Sequence, residues 1–120
     1  MDTLLVVEDN AVNLKLASAI LCSAGYVVLE ATNAEDGLAL AREHRPAVVL
    51  MDIELPGVDG ITAVHTLRAD SVIREVKVLA ITASAMSDKE RILAAPFDGY
   101  VSKPFLIQEL LDAVSAVLRD

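Results

Sequence analysis

The chain has no tryptophan, and aromatic residues occupy only 3% of its 120 positions, so its core has to be aliphatic. Aliphatic residues are abundant. Hydrophobic residues make up 54% and charged residues 23%, the balance of a folded domain and not of a disordered chain. The single cysteine, Cys22, excludes an internal disulfide and fits a reducing cytoplasm; its expected place is in the core as a small hydrophobe. No apolar run approaches the roughly 18 residues that a membrane span needs, and no basic stretch opens the chain, so membrane insertion is not expected. Positive charge is also scarce: 10 Lys and Arg stand against 18 Asp and Glu, a net charge of -8. Such a surface repels phosphate backbones, which removes nucleic acid from the expected partners. The length suits one domain with its own core.

Strand-like and helix-like segments alternate five times. Thr3 to Val7, Tyr26 to Ala31, Ala47 to Met51, Val76 to Ile81 and Gly99 to Ser102 read as strands, and within them Leu4–Val7 and Val48–Met51 are short apolar runs bounded by polar residues, the pattern of strands buried on both faces. Between them lie expected helices at Ala11–Ala24, Ala34–Glu43, Ile61 to about Ala69, Ser87 to about Ala95 and Leu106–Leu118. Asn10 and either Thr32 or Asn33 offer N-caps, Gly25 a helix end, and Pro46 and Pro96 stops. Leu55-Pro56-Gly57-Val58-Asp59-Gly60 reads as a turn-rich loop. Alternating units of this kind predict a parallel sheet sandwiched between helices, joined by right-handed crossovers.

Chemistry concentrates where the apolar runs stop. Leu4-Leu5-Val6-Val7 leads into Glu8-Asp9, and Val48-Val49-Leu50-Met51 leads into Asp52. Ligands bind at the carboxyl ends of strands in open parallel sheets, and neighbouring strands would bring these three carboxylates together. Two carboxylates about 5 Å apart repel by roughly 3 kcal/mol at an effective dielectric of about 20, and three make three such pairs. A divalent cation, partial protonation or a lysine partner relieves that repulsion. Lys103, followed by Pro104, is the candidate lysine, and Thr82, after Val78-Leu79-Ala80-Ile81, adds a hydroxyl. Asp52 is the candidate nucleophile, able to form an acyl phosphate. Glu8 and Asp9 are the type that holds Mg²⁺.

Taken jointly, Val7-Glu8-Asp9-Asn10, Met51-Asp52-Ile53-Glu54-Leu55-Pro56-Gly57-Val58-Asp59-Gly60, Ile81-Thr82-Ala83 and Tyr100-Val101-Ser102-Lys103-Pro104 resemble a two-component response-regulator receiver domain, of the single-domain or hybrid-kinase type. The resemblance spans nearly the whole chain. It implies an α/β, flavodoxin-like, doubly wound five-stranded parallel sheet in the order 2-1-3-4-5 with five helices. It implies one receiver domain over residues 1–120, without an output domain in this chain. Asp52 would take a phosphoryl group from a histidine kinase or histidine phosphotransfer protein. Mg²⁺, with Mn²⁺ as an alternative, would be held by Asp9, Asp52, the backbone carbonyl of Glu54 and, through water, Glu8. Thr82 and Lys103 would contact the phosphoryl group, and Tyr100 would change rotamer with Thr82. The protein would act as a regulatory phosphoacceptor that assists its own phosphorylation and dephosphorylation, not as a metabolic enzyme. Its setting would be the cytoplasm, its listener a downstream protein effector, and its state a monomer or weak homodimer. The Lys103–Pro104 bond is commonly cis in the family, whereas trans is the default for X–Pro bonds. Ala95-Pro96-Phe97-Asp98-Gly99 departs from the family's usual small residues, with Pro96 expected to stiffen that loop.

Two further features bear on partners. The first helix carries one apolar stripe through Leu14, Ala17, Leu21 and Ala24 and another through Val12, Leu16, Ala19 and Ile20, one for the sheet and one available for docking. The last helix bears a broad band of Leu106, Ile107, Leu110, Leu111, Val114, Val117 and Leu118. His44 and His65 lack ligand-spaced companions and are expected at the surface. A haloacid-dehalogenase-type phosphatase would need an aspartate where Glu54 stands, and a flavin module would place phosphate against the repelling Glu8-Asp9 pair.

Overall fold

Strands and helices alternate strictly along the chain, and the computed structural model describes residues 2–119. The elements are β1 (Thr3–Val7), α1 (Ala11–Ser23), β2 (Val27–Ala31), α2 (Ala34–His44), β3 (Val48–Asp52), α3 (Gly60–Ala69), β4 (Lys77–Thr82), α4 (Ala85–Ala94), β5 (Gly99–Ser102) and α5 (Ile107–Leu118). All neighbouring strands pair in parallel, in the order β2-β1-β3-β4-β5. The predicted sheet is therefore the observed one.

The two-residue period of the strands explains the layers. Leu4 and Val6 of β1, with Leu50 of β3, face a core made with Leu14, Ala17, Ile20 and Leu21 of α1 and Leu110, Val114 and Val117 of α5. Leu5, Val7, Val49 and Met51 face the other way, onto Ala34 and Ala41 of α2 and Ala63, Val64 and Leu67 of α3. Ile53 and Ala80 pack on Ile92 of α4. Because both faces are covered, the β1 and β3 side chains are fully buried from Leu4 to Val7 and from Val48 to Met51.

Most element ends follow local chemistry. The side chains of Asn10, Asn33 and Asp59 accept the backbone N–H three residues on and start α1, α2 and α3. Of the two expected caps for α2, Asn33 is the one used. The fourth helix starts at Ala85, not Ser87, because Ser84 takes the cap position and accepts from the Ser87 N–H. The first helix ends at Ser23 and Gly25 follows with φ 97, a left-handed conformation that glycine adopts without penalty. Arg45 closes α2 at φ 46, because the residue before Pro46 is kept out of the helical region and the chain has to turn there. The last helix begins one residue later than expected, with Leu106 at its cap position and no side chain to serve it.

At the amino end of β4 a single side chain joins two loops. The Arg68 guanidinium donates to the carbonyls of Pro96 (3.1 Å), Arg74 (2.7 Å) and Val76 and to Asp98 Oδ2 (2.7 Å), and the same Asp98 oxygen accepts from Val78 N–H (2.7 Å). The loop containing Pro96 is thereby tied to the sheet through its backbone. The α4–β5 connection is held by this network in addition to the ring of Pro96.

Gly60 positions the end of β3. A Cβ at this residue would lie 2.1 Å from the backbone oxygen of Asp52 and 2.7 Å from Cα of Ile53, and neither atom can yield without moving β3. Gly60 N–H also donates to Ile53 O at 3.2 Å. Gly60→Ala is expected to destabilise the protein by about 3 kcal/mol, as over-packing against backbone does. Urea unfolding of the two proteins, compared at equal slope, measures it.

Candidate functional site

The strand order places a topological reversal between β1 and β3, where the chain leaves one strand toward β2 and the other toward β4. A crevice at the carboxyl ends of those strands is the usual ligand position in such sheets. Glu8 and Asp9 directly follow β1, and Asp52 is the last residue of β3. Val7 pairs with Met51, Asp52 with Ile81 and Thr82 with Ser102, so the register brings Thr82 and Lys103 to the same edge. The Lys103 N–H donates to Thr82 O at 2.8 Å, and the Lys103–Pro104 bond that follows is cis.

Here the charges converge. Lys103 Nζ donates to Glu8 Oε1 at 2.8 Å and to Asp52 Oδ2 at 2.9 Å. The other Asp52 oxygen, Oδ1, accepts the Glu54 N–H at 2.8 Å. Glu8 and Asp52 are buried, Asp9 is exposed, and one carboxylate oxygen from each of the three lies within 4.8 Å of the others. Three converging carboxylates, one of them open to solvent, form an oxygen-only set compatible with Mg²⁺, a hard cation that keeps part of its water shell.

Burial and partners separate the two buried acids. The Glu8 carboxyl is pushed up from its ordinary 4.5 to about 7, first by burial and then by the neighbouring Asp52, against the opposing pull of Lys103. Burial also pushes Asp52 upward, but hydrogen bonds from the Glu8 carboxyl, Lys103 and the Glu54 N–H outweigh it and hold Asp52 below the usual carboxylate range. Burial would lower Lys103, but its hydrogen bonds to Asp52 and Glu8 raise it instead. Near neutral pH the site therefore holds an ionised Asp52, a charged Lys103 and a Glu8 close to half-protonated. Of the three ways to relieve the repulsion, the protein itself uses both the lysine and partial protonation.

Thr82 is completely buried at the end of β4. Its hydroxyl donates to Asp88 Oδ2 on α4 at 2.6 Å and accepts the Ser84 N–H at 3.1 Å. The other Asp88 oxygen accepts from Arg91 Nη1 at 3.3 Å, and Arg91 reaches Glu54 Oε1 at 3.4 Å. Tyr100 pairs with Ala80, two residues before Thr82, so the two side chains are diagonal neighbours on one sheet face. Tyr100 is 44% exposed. Asp88 and Arg91 were not among the sequence candidates. An acidic residue in the first turn of a helix capped by Ser84 was the available signal, hidden by placing the helix start at Ser87.

Some expectations on the surroundings need correction. Cys22 is exposed, not in the core, because α1 turns that position away from the sheet. In α1 the buried residues are Leu14, Ala17, Ile20 and Leu21, so Ile20 belongs to the core stripe and Ala24 lies outside. The stripes follow the 3.6-residue period and not the grouping expected. Val12 and Leu16 remain exposed, at 75% and 41%. In α5, Leu110, Val114 and Val117 are buried while Leu106 and Ile107 are exposed. His44 and His65 are both exposed, as expected. No helix of the described residues is long and apolar enough to cross a membrane.

The raised Glu8 carboxyl makes stability depend on pH in the absence of metal. Its proton is bound more tightly in the folded than in the unfolded state, so its contribution is complete below about pH 4.5 and disappears as pH rises through 7. Metal-free protein is expected to lose stability between pH 5 and pH 8, by about 3 kcal/mol at most. Asp52, shifted the other way, titrates below this window. Urea unfolding in chelator at both pH values checks this, and Glu8→Gln is expected to flatten the dependence.

Comparison with known proteins agrees with this geometry. The family model of the response regulator receiver domain matches residues 4–115. The chain is 38% identical over 119 residues to the polar-differentiation response regulator DivK of Brucella anthropi, covering 98% of this chain and 97% of that one. Among solved structures, the receiver domain of the sensor histidine kinase PA1611 of Pseudomonas aeruginosa, which has a magnesium ion coordinated in its active site cleft, superimposes with a TM-score of 0.92 at 34% identity, covering 99% of this chain and 98% of that one. The chemotaxis protein CheY4 of Vibrio cholerae gives 0.90 at 28% identity, with 98% of each chain covered. With its acidic edge, its lysine and its 2-1-3-4-5 sheet, the chain belongs to the response regulator receiver family.

Proposed function

We propose that the protein is a phosphorylation-dependent signalling switch that accepts a phosphoryl group on Asp52 from a histidine kinase or a histidine phosphotransfer protein. One observation carries the reading: Asp52 is a buried carboxylate at a strand end, flanked by Glu8 and Asp9 and hydrogen-bonded by Lys103 and the Glu54 N–H, bonds that help hold it below the usual carboxylate range. A nucleophile has to be ionised at working pH, and these bonds keep Asp52 so while orienting both of its oxygens.

In the transfer, an Asp52 oxygen bonds to phosphorus as the bond from phosphorus to the donor imidazole nitrogen breaks. That electron pair returns to the imidazole, and the product is an acyl phosphate. Lys103, already 2.9 Å from Asp52, moves its ammonium onto the phosphoryl oxygens and offsets their charge. Asp9, Asp52, the Glu54 carbonyl and, through water, Glu8 would hold Mg²⁺, or Mn²⁺ in its place, which supplies charge neutralisation at the phosphoryl oxygens when bound. The protein contributes to its own phosphorylation and dephosphorylation but is a regulatory phosphoacceptor.

Phosphorylation adds nearly two negative charges. Thr82 would then turn its hydroxyl from Asp88 to the phosphoryl group, and Tyr100, its diagonal neighbour, would move into the space released. The surface of α4, β5 and α5 changes with them, which a downstream protein effector would read as a shift between two populations. The exposed Val12 and Leu16 of α1 lie beside the acidic edge and suit a docking kinase or phosphotransfer helix. This reading fits a cytoplasmic protein that works as a monomer or weak homodimer.

Asp52→Ala is expected to abolish labelling by acetyl phosphate on a phosphate-affinity gel, and persistent labelling would overturn the assignment. Asp9→Ala is expected to raise the Mg²⁺ concentration for half-maximal labelling by about tenfold or more, read from the same assay across a metal titration.

A further inference from the structure

The Thr82 hydroxyl has one proton, and it is already donated. Thr82 is completely buried, and its partner Asp88 Oδ2 lies 2.6 Å away on the first turn of α4. The Asp88 side chain is only 15% exposed, so this is a short, charge-assisted bond in a largely dry setting, stronger than one between neutral groups. Asp88 is itself held by Arg91, which also contacts Glu54, the residue whose N–H orients Asp52. Any state in which Thr82 donates to a group on Asp52 therefore has to break the bond to Asp88 first. The Ser84 N–H, donating to the same Thr82 oxygen, does not compete for the proton.

We propose that Asp88 is a positioning residue: it holds the Thr82 hydroxyl on α4, away from the phosphoryl site, and sets how much phosphoryl binding energy is needed to switch the protein. The inference rests on the proposed function and adds a residue to it. Asp88 touches neither Asp52 nor the acidic pair; its two side-chain partners are Arg91 and Thr82, and it is through Thr82 that it acts on the phosphoryl site. Weakening the bond removes a stabilisation of the unswitched state only, so the equilibrium moves toward the state in which Thr82 serves the phosphoryl group. In Asp88→Asn the amide oxygen still accepts the hydroxyl, without the charge. In Asp88→Ala the buried hydroxyl has no acceptor on α4, and the unswitched state is disfavoured further.

Beryllofluoride in saturating Mg²⁺, titrated by calorimetry, is the probe. Relative to the wild type, D88N is expected to bind about threefold tighter and D88A about tenfold tighter. In a Thr82→Ala background the same Asp88 substitutions are expected to leave affinity unchanged within about twofold, because the hydroxyl they act on is gone. A merely structural role for Asp88 would alter both backgrounds alike. The methyl resonance of Thr82 is expected to shift toward its beryllofluoride-bound position in uncomplexed D88N. Should D88A not fold, the D88N pair of titrations carries the comparison. Unchanged or weaker binding by the folded variants, or a gain that persists in the Thr82→Ala background, overturns the inference and leaves the proposed function standing. A wild-type protein that binds no beryllofluoride overturns both.

Discussion

The ammonium of Lys103, bonded at once to Glu8 and Asp52, is the interaction on which the rest of the carboxyl edge depends. Two carboxylates buried at neighbouring strand ends would otherwise repel in a setting that water cannot screen. Lysine alone does not offset the burial of Glu8 beside Asp52, and the Glu8 carboxyl is pushed up to about 7, so that it retains its proton to near neutrality. Asp52 keeps its charge because both of its oxygens have donors. The site is thus balanced with little to spare, and any added anion or cation has to be answered by a rearrangement.

The surrounding fold divides into parts that resist this rearrangement and parts that can follow it. The β1 and β3 strands are buried on both faces and fix the acids. Gly60 lets the chain return so close to the Asp52 carbonyl that no side chain fits there. At the opposite end of the sheet, Arg68 gathers four acceptors from two loops and anchors the far end of α4 and the start of β5. The near end of α4 is held differently, by a serine cap, the Thr82–Asp88 bond and the partly exposed Arg91 pairs. Exposed ion pairs contribute little. The helix is therefore tied at one end by the Arg68 network and at the other by the Ser84 cap and the Thr82–Asp88 bond.

Much of this was legible before any coordinates. The alternation of short apolar runs with helical segments yielded the five strands and five helices, and the sheet order came with the resemblance carried by Glu8-Asp9, Asp52, Thr82 and Lys103-Pro104. Those residues are legible because each stands at or just past the end of a strand-like segment, and strand ends are a local property. The misplacements are also local in origin. Ser84 and Ser87 are both good caps, and in the folded chain Ser84 is the one used, accepting from the Ser87 N–H. Cys22 and Ala24 lie near the end of a helix rich in small apolar residues, where composition alone does not distinguish the inward side from the outward one.

By itself the sequence determined the kinds of element, the residue types at each strand end and the excess of acid there, because hydrophobic period and capping act over a few residues. Only the tertiary structure decided how those groups pair. Lys103 and Glu8 are 95 residues apart in the chain, and Arg91 and Glu54 are 37 apart, yet each pair meets across the folded edge. That Thr82 gives its proton to Asp88, and that Arg68 joins two loops, were equally invisible. Hydrogen bonds act only within about 3 Å and in particular directions. Such partners are chosen by where the packed sheet and helices leave each atom, not by the order of residues along the chain.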